Sequence, residues 1–280
     1  MNGVDRGAAT ERAVFWRHPH FRDMGLLKAR FRRYRYALHT HATYVIALIT
    51  GGCESVRVGR RRETAPVNSV IIVNPEECHD GEAGCDDGWA YRTFYPPVEL
   101  MAEVSRELGQ AALPLFPRTL LDDPALAEDL AAAHRTAEAG DTLAAEAAML
   151  DALRRLILCH GDVGRPGRAH THVGSRRRMA VYREMIEADA AGRFALADFA
   201  VTAEVSRFQV IRDFRQVTGF TPSAFVRDRR VRAAGRLIQE GETLADAAVG
   251  AGFADQSHLT RAFKLSHGFT PGVLRKAFAY

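Results

Sequence analysis

Cysteine is scarce in this sequence: four in 280 residues (Cys53, Cys78, Cys85 and Cys159), with no CxxC spacing. That excludes a disulfide framework and the paired-thiolate motifs of zinc ribbons and dithiol redox centres. The four are read as reduced thiols that mostly pack, the alternative being a redox-sensing pair such as Cys78 and Cys85. Long apolar runs are missing too. No stretch reaches the roughly 18–20 apolar residues of a membrane span, and Met1 to Arg12 is polar where a secretion signal would be apolar. A cytoplasmic protein without a membrane partner is expected. Lysine is limited to Lys28, Lys264 and Lys276, so basic charge here means arginine.

What remains is an ordinary globular composition, 47% hydrophobic and 26% charged, long enough for two domains. The net charge of +4 is unevenly spread. Residues 174–280 hold 17 Lys and Arg against 11 Asp and Glu, and the preceding residues hold 21 against 23. A basic C-terminal half points toward a polyanion.

The two halves also differ in pattern. Tyr44–Ile49 runs apolar to Gly51-Gly52, Glu54–Val58 alternates, Ser69–Val73 stops at Asn74-Pro75, and Trp89–Tyr95 alternates until Pro96. Short strands at this spacing predict an antiparallel barrel or sandwich. Helical periodicity follows over Val98–Leu108, Pro124–Ala139 and Leu143–Leu158, with Asp122 or Asp123 and Gly140 punctuating the second. The apolar row Leu143, Ala147, Leu150, Leu153, Ile157 and Leu158 suits packing on the barrel or on a second subunit. The expected organisation is a mainly-β half over 1–162, a Gly- and Pro-containing linker over 163–174, and an all-α half over 175–280.

The helical half contains a repeat. Leu196-Ala197-Asp198-Phe199-Ala200-Val201 recurs as Leu244-Ala245-Asp246-Ala247-Ala248-Val249. Gly219-Phe220-Thr221-Pro222 recurs as Gly268-Phe269-Thr270-Pro271. Arg212 and Phe214 answer to Arg261 and Phe263. Each copy reads as a short helix, a turn and a longer helix. Ser206 and Asp255 are the expected caps of the longer helices, and Thr243 with Asp246 forms a capping pair in the second copy. Ala195 leaves the first copy's short helix less well started. In the first longer helix Phe208, Ile211 or Val210, and Phe214 are expected to face inward. In the second, Leu259, Ala262 and Phe263 supply the core. Arg, Gln, Ser and Thr on the remaining faces are the side chains that bond to base edges and phosphates.

These residues carry a resemblance. Met179 to Phe278 is similar to the DNA-binding domain of AraC/XylS regulators, above all from Ala247 to Lys264 and in the closing Gly268–Pro271 and Arg275. Arg230, Ala234 and Leu237 fit that family's connecting helix; Leu259 and Arg229 depart from it. The resemblance implies two recognition helices in successive major-groove segments, roughly 34 Å apart. DNA contacts are then expected from Ser206, Arg207, Phe208, Ile211, Arg212 and Arg215 in the first copy. In the second they fall to Gln256, Ser257, Thr260 and Arg261. The strand-rich half resembles the cupin-like, effector-binding and dimerising domains often joined to this unit, through His39-Thr40-His41, Gly51-Gly52, Asn68–Pro75 and His79.

His39, His41, Tyr44, His79, Trp89, Tyr91 and Arg92 are the expected effector-site residues. Imidazole suits Zn, Fe, Cu and Ni, but the carboxylate expected just after the HxH pair is replaced by Tyr44–Ala47. No metal, cofactor or catalytic residue is therefore expected. The reading is a non-enzymatic transcription regulator that binds promoter or operator DNA and a small-molecule effector. A homodimer and contact with RNA polymerase come with the resemblance. The alternatives are a metal-dependent cupin enzyme fused to a DNA-binding module, and a constitutive DNA-binding dimer without effector.

Overall fold

A computed structural model describes residues 11–18, 24–162 and 173–279. Residues 163–172 of the expected linker lie outside the described residues.

The N-terminal half is an antiparallel β structure. Its path runs β1 (Arg12–Arg17), β2 (Gly25–Phe31), β7 (Trp89–Tyr95), β3 (Val45–Val58), β5 (Val70–Val73) and β8 (Leu120–Leu121). β4 (Arg61–Pro66) and β6 (His79–Ala83) both pair with the second half of β3. The expected break at Gly51-Gly52 is not a break. β3 continues through it, with a register shift between Ile49 and Gly51. Gly52 takes φ +63°, and a Cβ there would stand 1.9 Å from the Gly88 carbonyl oxygen. The pair bends one strand so that its first half serves one sheet and its second half another.

Both faces of β3 are buried. Val45, Ala47, Ile49, Val56 and Val58 point into the barrel. Ile46 and Leu48 face the helices α1 (Val98–Glu107), α2 (Pro124–Ala139) and α3 (Thr142–His160). Burial on both sides explains why Tyr44–Ile49 reads as a continuous apolar run rather than an alternating one. Asp123 caps α2 by accepting from Leu126 N–H at 3.0 Å, Pro124 fills the first turn, and Gly140 closes it at φ +83°. On α3, Leu153 and Ile157 pack inward, whereas Leu143 and Leu158 are exposed.

The helical half comprises α4 (Val173–Ala188), α5 (Leu196–Thr202), α6 (Arg207–Val217), α7 (Pro222–Gln239), α8 (Leu244–Gly250), α9 (Gln256–His267) and α10 (Pro271–Phe278). The repeat is thus two helix-turn-helix units, α5–α6 and α8–α9, joined by α7. Its recurring Gly-Phe-Thr-Pro has a physical reading at every position. Gly219 and Gly268 take φ +78° and +77°, Phe220 and Phe269 are buried, and Thr221 and Thr270 precede Pro222 and Pro271 at the first helical position. One motif ends a helix and starts the next.

Two expectations need correction. Phe208 does not face inward: it is 80% exposed, and Val210 and Phe214 fill the core instead. The start of α5 is defined despite Ala195, because the Asp198 carboxylate reaches back to accept from Ala195 N–H at 2.7 Å.

Candidate nucleic-acid interface and barrel pocket

Each longer helix opens with a cap that frees its outer face. Ser206 Oγ accepts from Gln209 N–H at 3.2 Å, and Asp255 Oδ1 accepts from His258 N–H at 2.7 Å. Beyond the caps, Ser206, Arg207, Phe208, Arg212 and Arg215 are exposed on the first helix, with Ile211 half-buried. On the second, Gln256, Ser257 and Arg261 are exposed and Thr260 is half-buried. Thr260 also donates its hydroxyl to the Gln256 carbonyl at 2.8 Å. Both heads present donors and acceptors over an apolar inner face (Val210 and Phe214; Leu259 and Phe263).

Beneath the first head lies a fully buried acid. Asp213 accepts two bonds from the Arg178 guanidinium, at 2.6 and 2.8 Å, and one from Gln209 Nε2 at 2.8 Å. Burial works against its charge, but Arg178 and Gln209 prevail and hold its carboxyl below the usual range.

In the β half, the pocket inside the barrel is lined by His39, His41, His79, Glu54, Tyr91 and Tyr95, among others. His39 and His79 form an antiparallel bridge, exchanging N–H···O bonds of 3.0 Å in both directions. Two residues on, His41 shares the same face. Burial, then neighbouring histidines, holds His39 and His41 well below the ordinary imidazole range, and burial brings His79 to about 4.

Three expected pocket residues lie elsewhere. Tyr44 is buried under the helices, where its hydroxyl bonds to the Pro114 carbonyl at 2.8 Å. Trp89 belongs to the barrel core and does not line the pocket. Arg92 faces α2, bonding to His134 and Glu138 at 2.7 Å each. The pocket instead recruits Tyr36, Tyr95 and Glu54. Burial raises the Glu54 carboxyl to about 8. It shares the inward strand face with Val56 and Val58. The cysteine expectation also changes: Cys78 packs in the first repeat's core, while Cys85 lies beside Cys53, whose thiol is raised to about 11 by burial and then by Cys85.

The two halves are clasped. Asp228 of α7 accepts from Thr40 N–H and Oγ1–H at 2.9 and 2.7 Å. Glu76 takes bonds of 2.6 Å from both Arg229 and Arg232. Burial opposes the Glu76 charge, but the two guanidiniums overcome it and lower its carboxyl to about 2. Arg229, a departure from the family pattern, is therefore part of the clasp, and it also lies over the Phe225 ring at 4.7 Å. Phe15 stacks on Phe269 at 4.7 Å, and Ala37 N–H donates to the Leu265 carbonyl at 2.8 Å. A cleft of about 440 Å³ runs along this seam, lined by Phe15, His41, Arg232, Phe263 and His267 among others.

Comparison with known proteins matches both halves. A family model described as an AraC-like ligand-binding domain covers residues 23–153, and one for a helix-turn-helix domain covers 199–277. YbfI of Bacillus subtilis, named an uncharacterised helix-turn-helix transcriptional regulator, is 26% identical over 80% of this chain and 82% of its own length. The regulator MtrA of Neisseria gonorrhoeae is 32% identical over 26% of this chain and 25% of its own. Among solved structures, ToxT of Vibrio cholerae superposes over 97% of this chain and 99% of its own, with a TM-score of 0.51 at 12% identity, a likeness of fold. No helix among the described residues is long and apolar enough to cross a membrane.

Proposed function

The chain belongs to the AraC/XylS transcriptional regulators, an AraC-like ligand-binding domain followed by a double helix-turn-helix domain, and from that premise we propose how it works. Domain one spans residues 1–162 and domain two 175–280, with 163–174 between them. α6 and α9 enter successive major-groove segments of promoter DNA. Arg207, Arg212 and Arg215 read or clamp one segment, and Gln256, Ser257, Thr260 and Arg261 the next. The observation that carries this is the duplicated, capped helix with an exposed polar head over a buried apolar face. A small-molecule effector enters the barrel beside His39, His41, His79 and Tyr91. It acts through the clasp, by binding one arrangement of the two domains more tightly than another.

The protein is a cytoplasmic, non-catalytic homodimer that contacts RNA polymerase when bound at a promoter. Its dimer contact is made by the apolar side chains of α3 that stay exposed, Leu143 and Leu158. The test is footprinting on DNA around its own gene across a salt series. Two protected major-groove segments are expected, with affinity falling steeply as salt rises. Arg212→Ala and Arg261→Ala should each cost about 1–3 kcal/mol and relax sequence preference within one segment only. Unchanged affinity in both variants would overturn the assignment of the two heads.

A further inference from the structure

The barrel's histidines are arranged more specifically than an organic pocket requires. One ring nitrogen from each of His39, His41 and His79 lies within 4.8 Å of the others. The ring centres of His39 and His79 are 4.2 Å apart, and those of His39 and His41 are 4.8 Å apart. Both bridge histidines are oriented from behind. His39 Nδ1 bonds to the Ala37 carbonyl at 2.8 Å, and His79 Nδ1 bonds to the Glu77 carbonyl at 2.9 Å. A carbonyl only accepts, so in each ring Nδ1 carries the proton and Nε2 keeps its lone pair. Imidazoles that ligate metals are held in this way, their other N–H given to a carbonyl that fixes tautomer and orientation.

A fourth imidazole comes from the other domain. His267, at the end of α9, has its ring centre 5.6 Å from that of His41 and 6.4 Å from that of His39. It is stacked on Phe263 at 4.1 Å, and its Nδ1 contacts Ser266 Oγ at 2.9 Å. The nearby guanidinium of Arg232 is already neutralised by Glu76 at 2.6 Å. Glu54 adds a carboxyl to the same pocket. A tetrahedral ion with bonds of about 2.0–2.1 Å sets its ligand atoms about 3.4 Å apart. The barrel trio, with ligand atoms within 4.8 Å of one another, would have to draw together to reach that spacing.

We propose that His39, His41 and His79 bind one divalent transition ion of the zinc class, and that His267 completes the site from the DNA-binding domain. This reverses the expectation that no metal is bound. The carboxylate missing after the HxH pair is replaced in the ligand count by a histidine more than 200 residues away, which sequence spacing does not reveal. The ion would link the effector barrel directly to the second recognition helix. The proposal stands on the histidine geometry and does not depend on the regulator reading.

The test uses full-length protein stripped with a chelator and re-equilibrated with buffered Zn²⁺, with Co²⁺ as the optical probe of coordination. One ion per chain is expected. His41→Asn and His79→Gln should each weaken binding by at least the roughly 10–100-fold that loss of a merely supporting partner costs. His267→Asn should weaken it at least about tenfold and change the Co²⁺ spectrum. Melting of each metal-free variant checks its folding; His41 is the least buried of the trio, so its variant decides if His79→Gln misfolds. Absence of saturable uptake, or uptake unaffected by His41→Asn, overturns the site. Affinity and spectrum both unchanged in His267→Asn overturn the link between domains. DNA footprinting by the metal-loaded protein is read in parallel: its failure would count against the regulator reading and leave the metal result standing.

Discussion

At positions 49 residues apart, the two helix-turn-helix units use matching residues in unlike surroundings. Phe214 and Phe263 are both buried, and Gly219 and Gly268 both have positive φ. The first unit closes around its own aromatic cluster of Tyr182, Phe199, Phe214, Phe220 and Phe225, pinned by Arg178 on the buried Asp213. In the second unit Ala262 stands where Asp213 would be. Its core of Phe253, Leu259, Phe263 and Phe269 runs on into the barrel. The barrel also touches the first unit, through Leu38 and Cys78, but more lightly. One reading head therefore carries its own support, while the other is supported by the domain that holds the effector pocket.

The contrast breaks most readily at Arg178. Arg178→Ala leaves a fully buried carboxylate with only Gln209 and Tyr182 as partners, at a cost towards the lower end of the about 3–5 kcal/mol for breaking a buried pair. Chemical denaturation should show that loss, with footprinting losing the first segment while the second persists. Equal loss of both segments would mean that the two units fold as one.

The closing glycines sharpen it next. A Cβ on Gly219 would meet only Cys78 Sγ, at 3.6 Å, whereas one on Gly268 would press into the Tyr36 hydroxyl at 2.3 Å. Gly219→Ala should carry only the left-handed backbone cost of roughly 1–2 kcal/mol. Gly268→Ala should cost more and loosen the barrel contact, seen as faster proteolysis between the domains. Equal effects would remove the asymmetry.

The smallest effect is expected from acidity. Glu76 has its folded pKa lowered from 4.5 to about 2, so its stabilising contribution is complete above about pH 4.5 and is lost as pH falls towards 2. Its side chain is one-third exposed, and such pairs are worth roughly 1 kcal/mol or less. The melting difference between wild type and Glu76→Gln should therefore be modest at pH 7 and vanish near pH 2. A difference that persists in acid would assign it to packing rather than charge.

Much of the helical half was legible because its signals are local. Caps at Ser206, Thr243 and Asp255, the Gly-Phe-Thr-Pro junctions and the apolar spacing each act within a few residues. The barrel was legible only in its interior strands. β1, β4 and β6 carry charged or mixed residues at the edges and gave no clean alternation. Tyr44 and Arg92 were misplaced because a strand buried on both faces does not declare which side is the pocket. Glu54 and His267 escaped because one looked like a surface charge and the other belongs to a distant helix.

The length of α7 sets a rotational phase. Its 18 residues span about 27 Å and five turns. Each residue added or removed would turn the second head by about 100° about the helix axis relative to the first. A single insertion in mid-helix should thus point α9 away from the duplex, whereas seven residues, nearly two whole turns, would restore the facing and lengthen the stride by about 10 Å. In this protein the permitted spacing of the DNA half-sites is measured out by one helix, in steps of whole turns.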